Sequence, residues 1–143
     1  MKIPQLSLFI ENKPGHMIVP CRQLADAGIN VVTLSLADTG QFGILRLIVD
    51  DVERAKSILK REGLTVGETD VVAVEVPDRP GGLAHLLQVF KDENVNVEYM
   101  YAFVKAPSQS AVMIFRFDDP HRALQALQDK GIRTIPGAEL YSM

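Results

Sequence analysis

The chain has 143 residues and a mass of 15.8 kDa, room for one ordinary domain or two small ones. Its 47% apolar and 23% charged residues supply material for a core, and no run of 18 apolar residues exists to span a membrane. With 15 Lys and Arg against 18 Asp and Glu the formal charge is −3, which argues against nucleic acid as a partner; Cys21 alone allows neither an internal disulfide nor a multi-cysteine metal site.

The opening residues, "MKIPQLSLFIEN", lack the long apolar stretch and cleavage site of a secretory signal, so a cytoplasmic location is expected. "QLSLFIE" is a short apolar strand that ends in the corner "ENKPGHM". From Met17 to Ala27 apolar residues return at helical spacing. Pro20 falls inside that segment, where its missing N–H and its ring disturb an established turn, so this helix either starts late or bends. Gly28 and Asn30 stop it, and "NVVTLSLAD" and "FGILRLIVD" then pair as a hairpin around Thr39-Gly40. "DVERAKSILKREG" is a second helix, with Val52, Ala55, Ile58 and Leu59 on one stripe, and "LTVGETD" is a last strand.

The same order then begins again. A shift of 66 positions lays Pro14-Gly15 on Pro80-Gly81, Asp26 on Asp92 and Asn30-Val31 on Asn96-Val97. After residue 104 the shift becomes 68, pairing Asp50-Asp51 with Asp118-Asp119 and Gly63 with Gly131; the two extra residues fall in the loop "KAPSQS". In the second copy "VVAVEV" is the first strand, Leu83 to Glu93 the first helix, "NVEYMYAFV" and "AVMIFRF" the hairpin, "PHRALQALQDKG" the second helix and "RTIPGAELYS" the last strand. Both Asp pairs read as caps before the second helices, where negative charge suits the helix dipole. Tyr99, Tyr101 and Phe103 lie on one side of their strand, a pattern of core or interface more than of a base-stacking platform, since only Lys105 follows to supply charge.

The order β-α-β-β-α-β, written twice, predicts an α+β fold of two ferredoxin-like units, each an antiparallel four-stranded sheet with both helices on one face. The units divide at 1–68 and 69–143, with almost no linker around Glu68 to Asp70. So small a unit has a marginal core alone, which leads us to expect that the two pack together or exchange strands.

The Pro-Gly corners hold the chemistry. The leading N–H groups of a helix lack internal partners and its start is partly positive, so a carboxylate fits there. Gly15, Gly81 and Gly82 let a ligand approach the backbone, while oxygens of Asn12 and Asp78 are placed to accept from an ammonium group. That combination is a clamp for a free α-amino acid; the same residues also serve as ordinary turn and cap residues at strand-to-helix corners.

On "ENKPGHM", "PDRPGGLA", "GINVV", "NVNVEYM" and the element order, residues 5 to 142 resemble a tandem of two ACT domains, small regulatory modules that sense amino acids. The resemblance implies a ligand held between two modules. By position it implicates Asn12, Gly15, His16 and Met17 at the first corner, Asp78, Gly81, Gly82 and Leu83 at the second, and Asn30 and Asn96 where family members reach across an interface. Asp78 departs from the more typical Asn, and His16 and Pro20 crowd the first corner. The expected function is therefore a non-catalytic regulator that binds a small amino acid or related carboxylate at the interface of its ACT-like units and signals to a partner enzyme or regulator. A homodimer is the expected assembly. The alternative is a ligand-free assembly module of the same fold, and a small enzyme is disfavoured for want of a nucleophile-base pair. No cofactor is expected, and His16, His85 and His121 share no metal-ligand spacing.

Overall fold

The computed structural model describes residues 1–103 and 110–143; of the expected loop "KAPSQS", all but Ser110 lies outside the described residues. The chain forms two units, Pro4–Thr69 and Met1–Ile3 with Asp70–Met143.

In the first unit β1 (Ile3–Glu11), α1 (Ile18–Asp26), β2 (Val31–Asp38), β3 (Phe42–Val49) and α2 (Val52–Arg61) lead into β4 (Val66–Pro77). The strand order is β2-β3-β1-β4. Successive residues of a strand face opposite ways, so Leu6, Leu8 and Ile10 of β1 share one side with Leu45, Leu47 and Val49 of β3. Leu24 of α1 and Ala55 and Leu59 of α2 cover that side.

The rest of β4 opens the second unit, followed by α3 (Gly82–Asp92), β5 (Val97–Phe103), β6 (Ser110–Phe117), α4 (Pro120–Asp129), β7 (Thr134–Ile135) and α5 (Gly137–Ser142), with strand order β5-β6-β4-β7. Its core occupies the same repeat positions with redistributed volume. Leu6, Leu8 and Ile10 are answered by the smaller Val72, Val74 and Val76, while Leu24, Leu47 and Val49 are answered by Phe90, Phe115 and Phe117. Small strand residues make room for large rings, the kind of volume-conserving exchange a close-packed core tolerates. The three rings meet at centroid distances of 4.8 to 5.4 Å, with Phe90 edge-on to both others. Both units are α+β and ferredoxin-like, with antiparallel sheets and the packing helices on one face.

The helix ends repeat as well. Ile29 N–H donates to the Leu24 carbonyl and Val95 N–H to that of Phe90, both at 2.9 Å, closing α1 and α3 through a left-handed residue. In the second unit that residue is Asn94, at φ 56°, the one non-glycine at positive φ among the described residues. Asp51 and Asp119 cap α2 and α4, accepting from Arg54 and Arg122 N–H at 3.3 and 3.1 Å.

Several local expectations are corrected. Asp50 and Asp118 are not caps: each accepts from the backbone N–H of Asn30 or Asn96 at 3.0 Å, fastening the start of β2 or β5. "LTVGETD" and "VVAVEV" are one strand, β4, because nothing between Val66 and Pro77 breaks extended backbone. "RTIPGAELYS" is a strand only at Thr134–Ile135; Pro136 has no N–H to continue the ladder, and the helix formers after it make α5, with Leu140 buried. Of the two possibilities for α1, the late start is the one realised. Ile18 begins the helix, so Pro20 falls within the first turn, where the missing N–H removes no internal bond, and its ring is buried.

Replacing Phe90 by Ala should cost about 3–5 kcal/mol, because the Val-lined strand cannot refill the space, and Asp119→Ala about 1 kcal/mol through the lost cap. Urea denaturation of the two variants measures both, and equal losses would contradict this account of the core.

Candidate functional site

The second corner forms where β4 ends. Arg79 N–H donates to the Pro77 carbonyl at 3.0 Å and Gly82 N–H to that of Arg79 at 3.1 Å, a tight turn that carries Gly81 at φ 87°. His85 N–H then donates to the Gly81 carbonyl at 2.9 Å and α3 is under way. Gly82 is required for a different reason from Gly81: a Cβ there would overlap the Pro77 carbonyl oxygen, whereas above Gly81 the space is open. The amides of Leu83 and Ala84 are left as leading donors of α3.

The first corner begins identically. Lys13 N–H donates to Glu11 O at 2.9 Å, His16 N–H to Lys13 O at 3.3 Å, and Gly15 stands at φ 84°. The paths then part. His16 occupies the place of Gly82, its Cβ is incompatible with so close an approach, and the chain makes another turn before α1 starts at Ile18. Asn12 ties this corner to the hairpin: its side-chain amide donates to the Gly40 carbonyl at 3.0 Å and its N–H to that of Gln41 at 2.9 Å. Lys13 lies 2.9 Å from the Glu11 carboxylate, and its hydrogen bond and charge hold that carboxyl below the usual range.

Each corner borders a groove at the same repeat position. In the first unit it measures about 410 Å³, with Phe9, Ile10, Val19 and Leu64 as apolar walls and Glu11 and His16 adding polar groups. A second hollow of about 400 Å³ lies on the other side of that corner, against Asn12, Met17, Ile18 and Leu36. In the second unit the groove is about 290 Å³; Val76, Pro77, Leu86 and Ile132 form apolar walls beside Gly82, and Glu75, His85 and Arg133 add polar groups.

The structure thus brings Asn12, Gly15, His16 and Met17 together, and Asp78, Gly81, Gly82 and Leu83 together, each set by adjacency in a turn. Asn30 and Asn96 join neither corner of their own unit. Val31 pairs with Val49 at one end of the hairpin, while Glu11, just before the corner, pairs with Phe42 at the other. Asn96 instead borders a separate hollow with Lys91, Asn94 and Asp118. Sequence reasoning missed Glu75 and Arg133, for which the available signal was a break in the repeat: Phe9 and Thr65 stand in their places. Among the described residues no group of three His, Cys, Asp or Glu could hold a metal ion, and no helix is long and apolar enough to cross a membrane.

Gly82→Ala should destabilise the protein by about 3 kcal/mol, since the added methyl meets backbone, whereas Gly81→Ala should cost only about 1–2 kcal/mol of backbone strain. Denaturation of both variants tests the ranking, and a reversed order would overturn the steric account of this corner.

A family model described as an ACT domain pair matches residues 1–143. The crystal structure of a Bacteroides thetaiotaomicron protein is similar at 36% identity and TM-score 0.93, over 100% of this chain and 98% of that one. The regulatory subunit of aspartate kinase from Thermus thermophilus, in ligand-free form, has 21% identity and TM-score 0.64, over 88% of this chain and 91% of that one. Its counterpart from Thermus flavus has 19% identity and TM-score 0.61, over 88% and 90%. The two kinase subunits share the fold. A search of curated proteins finds no match. Two units of the order β-α-β-β-α-β, each turning on a Pro-Gly corner, and a family match over the whole length make the conclusion plain: this chain belongs to the ACT domain pair family.

Proposed function

We propose that the protein is a non-catalytic regulator that binds a small amino acid or related carboxylate at its second corner and passes that occupancy to a partner enzyme or regulator. The observation that carries this reading is the construction of residues 77–85. Gly81 leaves open space above the backbone, and α3 begins at once behind it with its leading amides unused inside the helix. Asp78, exposed beside the turn, supplies the acceptor for an ammonium group. The similar folds named regulatory subunits of aspartate kinase support a regulatory role, in which a ligand preferring one arrangement shifts the population toward it. A homodimer in the cytoplasm is the working form on this reading.

A second reading is favoured at the first corner by one observation. The Asn12 amide is engaged on the Gly40 carbonyl and the helix start is displaced to Ile18, so this corner serves the turn and fits an assembly role. On our proposal the ligand corner is therefore the second.

The test is a thermal-shift screen of ligand-free protein against the twenty amino acids and a set of 2-oxo acids, with calorimetry on any hit. At 100-fold excess over Kd a ligand adds about 2.7 kcal/mol, roughly 5–10 °C in Tm. Gly81→Ala should weaken binding at least about tenfold, a difference of about 1.4 kcal/mol. Gly15→Ala, equally strained at φ 84° and equally open, should leave binding intact. A panel without hits, or binding that follows Gly15 in place of Gly81, would defeat the proposal.

A further inference from the structure

The groove of the second unit carries charge that its fold does not require. The repeat builds this groove twice, and in the first unit the places of Glu75, His85 and Arg133 are taken by Phe9, Val19 and Thr65. Strand, corner and helix form without ionisable groups at those three places, the carboxylate of the first groove, Glu11, standing where the second has Pro77, so these residues answer to something peculiar to the second unit. Arg133 shows what that is. Its Nη1 donates to Glu75 at 3.2 Å, and its Nη2 donates to both carboxylate oxygens of Glu139, at 2.5 and 2.7 Å. Glu139 lies on α5, which has no counterpart in the first unit, where the matching residues continue as β4. The guanidinium is half exposed and lines the groove beside Val76, Leu86 and Ile132.

Apolar walls with a guanidinium beside them are complementary to a small carboxylic acid with an apolar tail. Glu139 already gives Arg133 a carboxylate, so it acts as an internal stand-in for such a ligand. We propose that the groove takes a small apolar carboxylic acid through Arg133 in exchange for Glu139, and that this exchange unlatches α5. An exposed ion pair is weak, so a ligand carboxylate is able to replace it. The proposal rests on the reading above, that the second unit receives a carboxylate, and adds the means by which occupancy becomes visible at the C-terminal helix.

The experiment uses isovalerate as probe and isovaleramide as its uncharged control, on the full chain, with calorimetry and hydrogen exchange over residues 137–143. Glu139→Gln should bind isovalerate about fivefold more tightly than the original protein, because the internal competitor is gone. Arg133→Gln should lose the binding, and isovaleramide should not bind. Saturation with isovalerate, and Glu139→Gln without any ligand, should each speed exchange at 137–143 while α3 and α4 keep their protection. Affinity unchanged by Glu139→Gln, binding retained by Arg133→Gln, or no saturable isovalerate binding to either the original protein or Glu139→Gln would overturn the proposal. If an amino acid binds through Gly81 while isovalerate fails in these ways, the corner reading stands and the latch falls. Isovalerate binding that follows Arg133 and Glu139, with no amino-acid hit, is the reverse case.

Discussion

Everything in this protein depends on covering one apolar face of a small sheet with two helices, within a length that has little core to spare. Each fully buried large side chain contributes about 1.5–3 kcal/mol, so a unit this small needs nearly every core position filled. The two units solve the same problem with different volumes: leucines on the first strand in one, valines against three phenylalanines in the other. That constraint explains why the repeat persists in pattern while its residues drift. It preserves which positions face inward and leaves their individual sizes free to trade.

The corner follows from the same economy of length. A helix that must lie back on the strand it follows has only a few residues in which to reverse, and the turn reverses most tightly where two glycines stand together. At Gly81 the backbone enters the left-handed region, and at Gly82 it passes against the Pro77 carbonyl. With His16 in the second of those places the chain takes a longer path, and Asn12 becomes a brace for the neighbouring hairpin. A single side chain thus separates a corner whose helix start is open from one that is spent on holding the turn. Two copies of one motif have diverged into different chemical surfaces without any change of fold.

The charges of the second unit fit this division. Where the first unit has the uncharged Phe9 and Thr65, Glu75 and Arg133 mark the second, and the guanidinium reaches on to the added helix. Both carboxylates raise the pKa of Arg133, Glu139 foremost through its hydrogen bond, and a guanidinium is in any case cationic at ordinary pH. A cation beside apolar walls gives this groove a polarity that its shape alone would not have.

The sequence by itself determined the element order as far as the last strand, the repeat with its change of shift, the helix stop at Gly28, the caps at Asp51 and Asp119, and the residues of both corners. These are local matters, set by periodicity and by the conformations that single residues allow. It also carried the family, since the corner motifs recur at matching places. Only the tertiary structure decided that Pro20 sits harmlessly in a late first turn, and that Asp50 and Asp118 hold neighbouring strands in place of capping helices. It also showed that the last expected strand is mostly a helix and that Asn30 and Asn96 lie at the far end of their units from the corners. Each of those depends on what a backbone group or side chain meets across the sheet, many residues away in sequence. Glu75 and Arg133 belong to the same class, because an ion pair between positions 58 apart exists only once β4 and the chain after α4 lie side by side.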